Sequence, residues 1–131
     1  MFFRKKKSHP SLVVHMGDED FESEIAATAG VTVVDFWAPW CGPCRMMGPI
    51  LEDVATDYAD RGVTVVKVNT DEAPITAERF GIRSIPTLVF FRSGEPLFEM
   101  VGLVPQPVLQ REIDSLLGTT GQTPDTTKEE E

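Results

Sequence analysis

Cys41 and Cys44 are the only two cysteines in this chain, and they stand two residues apart in the stretch Trp40-Cys41-Gly42-Pro43-Cys44. That spacing brings two sulfurs within reach of a small-ring disulfide, and it equally suits one half of a zinc site. Structural zinc needs more ligands, typically a second closely spaced pair. No further cysteine exists, and the two histidines, His9 and His15, both precede the motif. The sequence therefore favours a cycling dithiol with no metal over a zinc site. A pair of inert core thiols is the plain alternative, but it gives no reason for the aromatic Trp40 beside them.

Two further residue groups could serve such a pair. Asp35 interrupts the run Val31-Thr32-Val33-Val34-Asp35-Phe36-Trp37, six residues before Cys41. A carboxylate in a buried strand is costly unless paired or neutral, so burial should raise its pKa. It could then exchange a proton with Cys44 as general base and acid. Lys67, the one charge in Val63-Thr64-Val65-Val66-Lys67-Val68-Asn69, is its expected partner. A purely structural Asp35–Lys67 ion pair is the competing account, and the two are compatible. In Arg83-Ser84-Ile85-Pro86-Thr87, Pro86 is either an ordinary strand-entry residue or the second half of a cis peptide.

The elements that must hold these residues follow from pattern. Leu12–His15 predicts a first strand. Asp18 offers a helix N-cap, with Phe21, Ile25 and Ala29 at helical spacing and Gly30 as the stop. The Val31–Trp37 run predicts a central strand buried on both faces. Met47, Leu51, Val54, Ala55 and Tyr58 recur at helical period, so a long helix should run from near Cys41 to about Asp60, kinked at Pro49. The Val63–Asn69 run is a second buried strand, and strand–helix–strand in this order makes a right-handed parallel unit. Pro74 and Gly81 frame a short helix. Thr87–Arg92 and Leu97–Val101 make an antiparallel hairpin about Ser93-Gly94. Leu109, Ile113, Leu116 and Leu117 form a last amphipathic helix ending at Gly118. This order puts Cys41 at a strand's carboxyl end and a helix's amino end. Unpaired N–H groups and the helix dipole there favour a thiolate, so Cys41 should be the nucleophile and the deeper Cys44 the resolving thiol. Gly42 allows close approach, and Pro43 costs little at an early helix position.

Composition bounds the rest. The chain has 131 residues, 41% of them hydrophobic and 25% charged, which suits one globular domain with tails. A net charge of -9 argues against nucleic-acid binding. No apolar run approaches the ~20 residues of a membrane span. Phe2, Phe3 and the Arg4–Lys7 cations lack the apolar core of a signal peptide, which predicts a cytoplasmic protein with a flexible basic arm over residues 1–10. Residues 119–131 have nothing apolar to bury and predict a disordered acidic tail, leaving a folded domain at 11–118.

Taken together, Asp35-Phe36-Trp37-Ala38-Pro39-Trp40-Cys41-Gly42-Pro43-Cys44, Pro49, Lys67, Gly81-Ile82-Arg83-Ser84-Ile85-Pro86-Thr87 and Val101-Gly102 resemble the thioredoxin family over about Val13 to Gly118. The resemblance implies an α/β fold, three layers deep, with a central mixed sheet of about five strands and four flanking helices. It implies a protein-disulfide reductase in which Cys41 attacks, Cys44 resolves, and Asp35 and Lys67 assist proton transfer. It implies a cis Pro86 facing the dithiol, and a flat docking surface of Trp40, Gly42, Pro43, Ile85, Val101 and Gly102. No bound cofactor is implied; electrons would come from NADPH through a flavoprotein thioredoxin reductase, and the partners would be disulfide-containing proteins such as peroxidases and reductases. The chain would be a monomer that contributes to redox homeostasis. The Gly-Pro pair fits a reductant. Thr70 stands where the docking surface often has an apolar residue, and Arg45 where lysine is frequent. The alternatives are a binding subunit of the same fold, with a dispensable dithiol, and an electron donor dedicated to one partner enzyme.

Overall fold

The computed structural model describes residues 10–118, so the basic-arm residues 1–9 and the 119–131 tail lie outside the described residues. The elements run β1 (Val14–His15), α1 (Phe21–Ala26), β2 (Val31–Trp37), α2 (Gly42–Asp57), a short 3-10 turn (Ala59–Arg61), β3 (Val63–Asn69), α3 (Pro74–Arg79), β4 (Thr87–Arg92), β5 (Glu95–Val101) and α4 (Gln106–Gly118). The five strands form one mixed sheet in the order β1-β3-β2-β4-β5. β1, β3 and β2 are parallel, β4 is antiparallel to β2, and β5 is antiparallel to β4. This is the expected α/β architecture of five strands and four helices.

β2 lies at the sheet's centre, and its continuous β-branched and aromatic run is what a strand covered on both faces requires. Alternation sorts its side chains. Val31 and Val33 join Met47, Leu51, Leu88, Leu109 and Ile113 in the core beneath α2 and α4. Val34 and Phe36 join Phe21, Ile25, Val68 and Phe91 in a second core beneath α1 and α3. In that second core Phe21 packs edge-on against Phe80 and Phe91, at centroid separations of 5.7 and 6.2 Å. By the same alternation Asp35 and Trp37 lie on the α2 side of the sheet.

Several boundaries differ from the sequence pattern. Leu12 and Val13 precede the ladder, leaving β1 with two residues; Val13 is nevertheless buried in the α2-side core. Asp18 does not cap α1, which begins at Phe21 after Asp20. Its carboxylate instead crosses to α3 and accepts from the Ile75 and Thr76 N–H groups, at 3.2 and 2.8 Å, and from the Thr76 hydroxyl at 2.7 Å. α1 ends at Ala26, and Ala29 is exposed. Gly30, with φ +76°, makes the turn into β2 rather than the helix stop. α2 is helical through Pro49, whose ring faces solvent, and ends at Asp57; the 3-10 turn then carries the chain to a left-handed Gly62. Ser93 and Gly94, with φ 50° and 84°, form the tight hairpin turn whose twist matches the strands. No helix among the described residues is long and apolar enough to cross a membrane.

Candidate active site

β2 ends at Trp37, and the loop Ala38–Cys41 delivers the chain into α2. The loop is closed by the Cys41 N–H donating to the Ala38 carbonyl at 3.1 Å, and by Arg45 Nη1 donating to the Pro39 carbonyl at 3.1 Å. Cys41 is the N-cap of α2 in extended conformation, and Pro43 fills an early position where a missing N–H goes unnoticed. The Cys44 N–H, which has no partner within the helix, donates to Cys41 Sγ at 3.2 Å. Cys41 and Cys44 are joined as a disulfide with Cα atoms 5.3 Å apart. Cys41 retains 6% exposure and Cys44 none. One sulfur thus reaches solvent, at a helix terminus that stabilises negative charge, while the other lies behind it.

Across from the pair stands the segment before β4. The Ile85–Pro86 peptide is cis, and the Ile85 carbonyl oxygen is 3.8 Å from Cys41 Sγ. The Pro86 carbonyl accepts the Gly102 N–H at 2.8 Å, and Met47 Sδ of α2 accepts the Val104 N–H at 3.3 Å. These bonds tie three remote segments into one rim. Val101 is 60% exposed there, Gly42 and Pro43 are exposed, Ile85 and Gly102 are half-buried, and Pro86 itself is buried. Trp40 is 68% exposed, and its indole N–H donates to the Asp71 carboxylate at 3.0 Å. Sequence reading missed Asp71, because its partner is 31 residues away and nothing local marks it. Thr70 is turned inward, its hydroxyl 3.3 Å from the Trp37 carbonyl.

Asp35 is fully buried, and neither of its carboxylate oxygens has a hydrogen-bond partner among the described residues. It shares the α2 side of the sheet with Val33, which packs in one core with Met47, and Cys44 lies one turn before Met47 on α2. Burial pushes the Asp35 carboxyl up to about 7, against the opposing pull of the Lys67 charge. Lys67 is in register with Asp35 on β3, yet the two make no ion pair. Its Nζ lies 4.2 Å from the centre of the Trp37 ring, a cation–π contact one step along the sheet. In place of the competing account's ion pair stands a buried acid that Lys67 offsets only in part, the lysine being held on an aromatic face. Such an acid is neutral below pH ~7 and a base above it, the range in which thiols exchange protons. Among the described residues no cluster of His, Cys, Asp or Glu could hold a metal.

The chain matches the thioredoxin family model over residues 12–115. It is 46% identical over 107 residues to thioredoxin 1 of Synechococcus elongatus, an alignment covering 82% of this chain and 99% of that one. It is 43% identical over 101 residues to thioredoxin 2 of Chlorobaculum tepidum, covering 77% and 92%. It is 42% identical over 108 residues to the chloroplastic M-type thioredoxin of Zea mays, covering 82% and 64%. A helix-capping disulfide, a facing cis-proline and this similarity converge: the chain belongs to the thioredoxin family of thiol-disulfide oxidoreductases.

Proposed function

We propose that this protein-disulfide reductase works with Cys41 as the attacking sulfur, Cys44 as the resolving sulfur and Asp35 as the proton acceptor. The observation that carries the assignment is the Cys44 N–H directed at Cys41 Sγ, on the one sulfur of the pair that solvent reaches. The reduced chain begins with a Cys41 thiolate. It attacks one sulfur of a substrate disulfide; a Cys41–substrate S–S bond forms, the substrate S–S bond breaks, and the first substrate thiolate leaves and takes a proton. The Cys44 thiol then gives its proton to the Asp35 carboxylate. Its thiolate attacks Cys41 Sγ and expels the second substrate thiolate. The substrate has gained two electrons, and the chain is left with the Cys41–Cys44 disulfide seen in the structure. Lys67 tunes the acid without neutralising it. Trp40, Gly42, Pro43, Ile85, Pro86, Val101 and Gly102 receive the substrate chain. On the same reading residues 11–118 act as a cytoplasmic, monomeric domain that needs no bound cofactor, and a flavoprotein thioredoxin reductase returns electrons from NADPH.

The test is a trap. Cys44→Ser should still attack an insulin disulfide and accumulate a mixed disulfide on Cys41, visible as a mass adduct that dithiothreitol removes. Cys41→Ser should give no turnover and no adduct at Cys41. An adduct on Cys44 in Cys41→Ser, with none in Cys44→Ser, would reverse the roles.

A further inference from the structure

Beside the Ile85–Pro86 wall, on the side of the sheet away from α2, lies a cavity of about 240 Å³. It is lined by Arg83, Ser84, Thr87, Glu99 and Val101, with Gly81 and Ile82 at its back. Thr87 is occupied, its hydroxyl donating to the Ser84 carbonyl at 2.6 Å. Arg83 is exposed and makes no ion pair with any described residue. That sets it apart from Arg79 and Arg61, which meet carboxylates at 2.9 and 3.8 Å. Glu99 is the one carboxylate on the cavity wall, and it lies beyond ion-pair distance of Arg83.

The geometry points to this cavity as a subsite that selects protein disulfides carrying an acidic side chain close to the reacting cysteine, with Arg83 as the residue that holds it. The inference rests on the reductase reading above and adds a substrate preference to it. The Ile85 carbonyl is 3.8 Å from Cys41 Sγ, so a substrate sulfur bonded to Cys41 sits against this segment. Arg83 and Ser84 are the two residues just before Ile85. A substrate chain running extended along them advances ~3.3 Å per residue, and side chains two apart share a face. A residue two positions from the substrate cysteine therefore reaches the cavity mouth, as Arg83 stands two residues before Ile85. A carboxylate there meets an unpaired guanidinium, whose planar fork suits it, with the Ser84 hydroxyl alongside. A lysine in the same place meets Arg83 repulsion. Glu99 opposes the acidic guest from the far wall, so it limits the preference instead of creating it. The overall charge of -9 makes this local attraction selective, because the rest of the surface repels acidic chains.

The test uses the full chain and three disulfide-bonded peptides that differ only at the two residues next to one cysteine: Asp, Ala or Lys. Expected kcat/KM values follow Asp > Ala > Lys, with the Asp to Ala ratio about three to ten, as one partly exposed charge-assisted contact supplies. Raising the salt should compress this ratio. Arg83→Gln should bring it to about one, mainly through KM, and Glu99→Gln should widen it. A wild-type chain that does not rank the peptides, or an Arg83→Gln variant that keeps the ranking, overturns the subsite. Equal loss on all three peptides in Arg83→Gln also overturns it, since Arg83 would then act on the dithiol. Hydroxyethyl disulfide, uncharged and too small to enter the cavity while bonded to Cys41, separates the two claims. If the wild-type chain reduces neither it nor the Ala peptide, the reductase reading itself has failed.

Discussion

The buried, unpartnered Asp35 makes the stability of this fold depend on pH in a direction opposite to that of a paired carboxylate. Its carboxyl rises from the ordinary 3.8 to about 7 because burial penalises the charged form. Between those values the folded chain holds a proton that the unfolded chain has released. The folded state binds more protons there, so stability falls as pH rises. The contribution is fully present below pH 3.8, declines through the interval, and is gone above pH ~7. At about 1.4 kcal/mol for each pH unit, the loss totals about 4 kcal/mol. That is a large share of the 5–15 kcal/mol by which domains are typically stable. Asp35→Asn keeps the shape and removes the titration. In urea unfolding of the oxidised proteins, where the disulfide-bonded cysteines do not titrate, the two chains should be nearly equal at pH 4. The variant should be the more stable by up to about 4 kcal/mol at pH 8. Other carboxylates act on both chains alike and cancel in the difference. Parallel stability curves between pH 4 and 8 would refute the reasoning, and so would a variant less stable than wild type at pH 8. Either result would mean that Lys67 compensates the charge in full.

Three other substitutions probe the supports of the site. Asp18→Ala removes three hydrogen bonds from the start of α3 and should lower the urea unfolding midpoint, with α1 left helical. Asp71→Ala releases the Trp40 indole; the indole N–H resonance should move toward its free-solvent position, and KM for a protein disulfide should rise about threefold, as loss of one charge-assisted hydrogen bond predicts. Gly30→Ala forces a Cβ against the Gly62 carbonyl oxygen at a φ of +76°, and thermal unfolding should show a loss of more than about 2 kcal/mol.

What the sequence made legible and what it hid divide along a physical line. β2, β3 and β4 begin and end where their β-branched and aromatic runs do, because a strand buried on both faces leaves no alternation to misread. The apolar stripe of α2 from Met47 to Tyr58 is buried throughout, since period and burial are one fact on a helix. The errors fall where a side chain's partner is remote. Asp18 carries every local mark of a cap for the helix that follows it, yet it spends its carboxylate on a helix 58 residues away. Trp40 and Asp71 find each other across 31 residues, and Lys67 prefers the Trp37 ring to the acid beside it in register. α1 stops early because Ala29 has no core to reach, although its spacing from Ile25 is helical. The Asp35 environment was foreseeable as buried, but the lack of any partner for its oxygens emerges only once the neighbouring strands and helices are in place.

β5 is one of the sheet's two outer strands, seven residues long, beside the rim where Val101 stands exposed. A strand of that length with a free margin invites a second chain to add alongside it. Pro96 withholds one N–H from that margin, and the register slip opposite Phe90 and Phe91 bends it out of line. Glu95 and Glu99 place like charges along it, so two copies meeting side by side would repel. The strand beside the exposed Val101 is thereby a poor template for a second copy of itself.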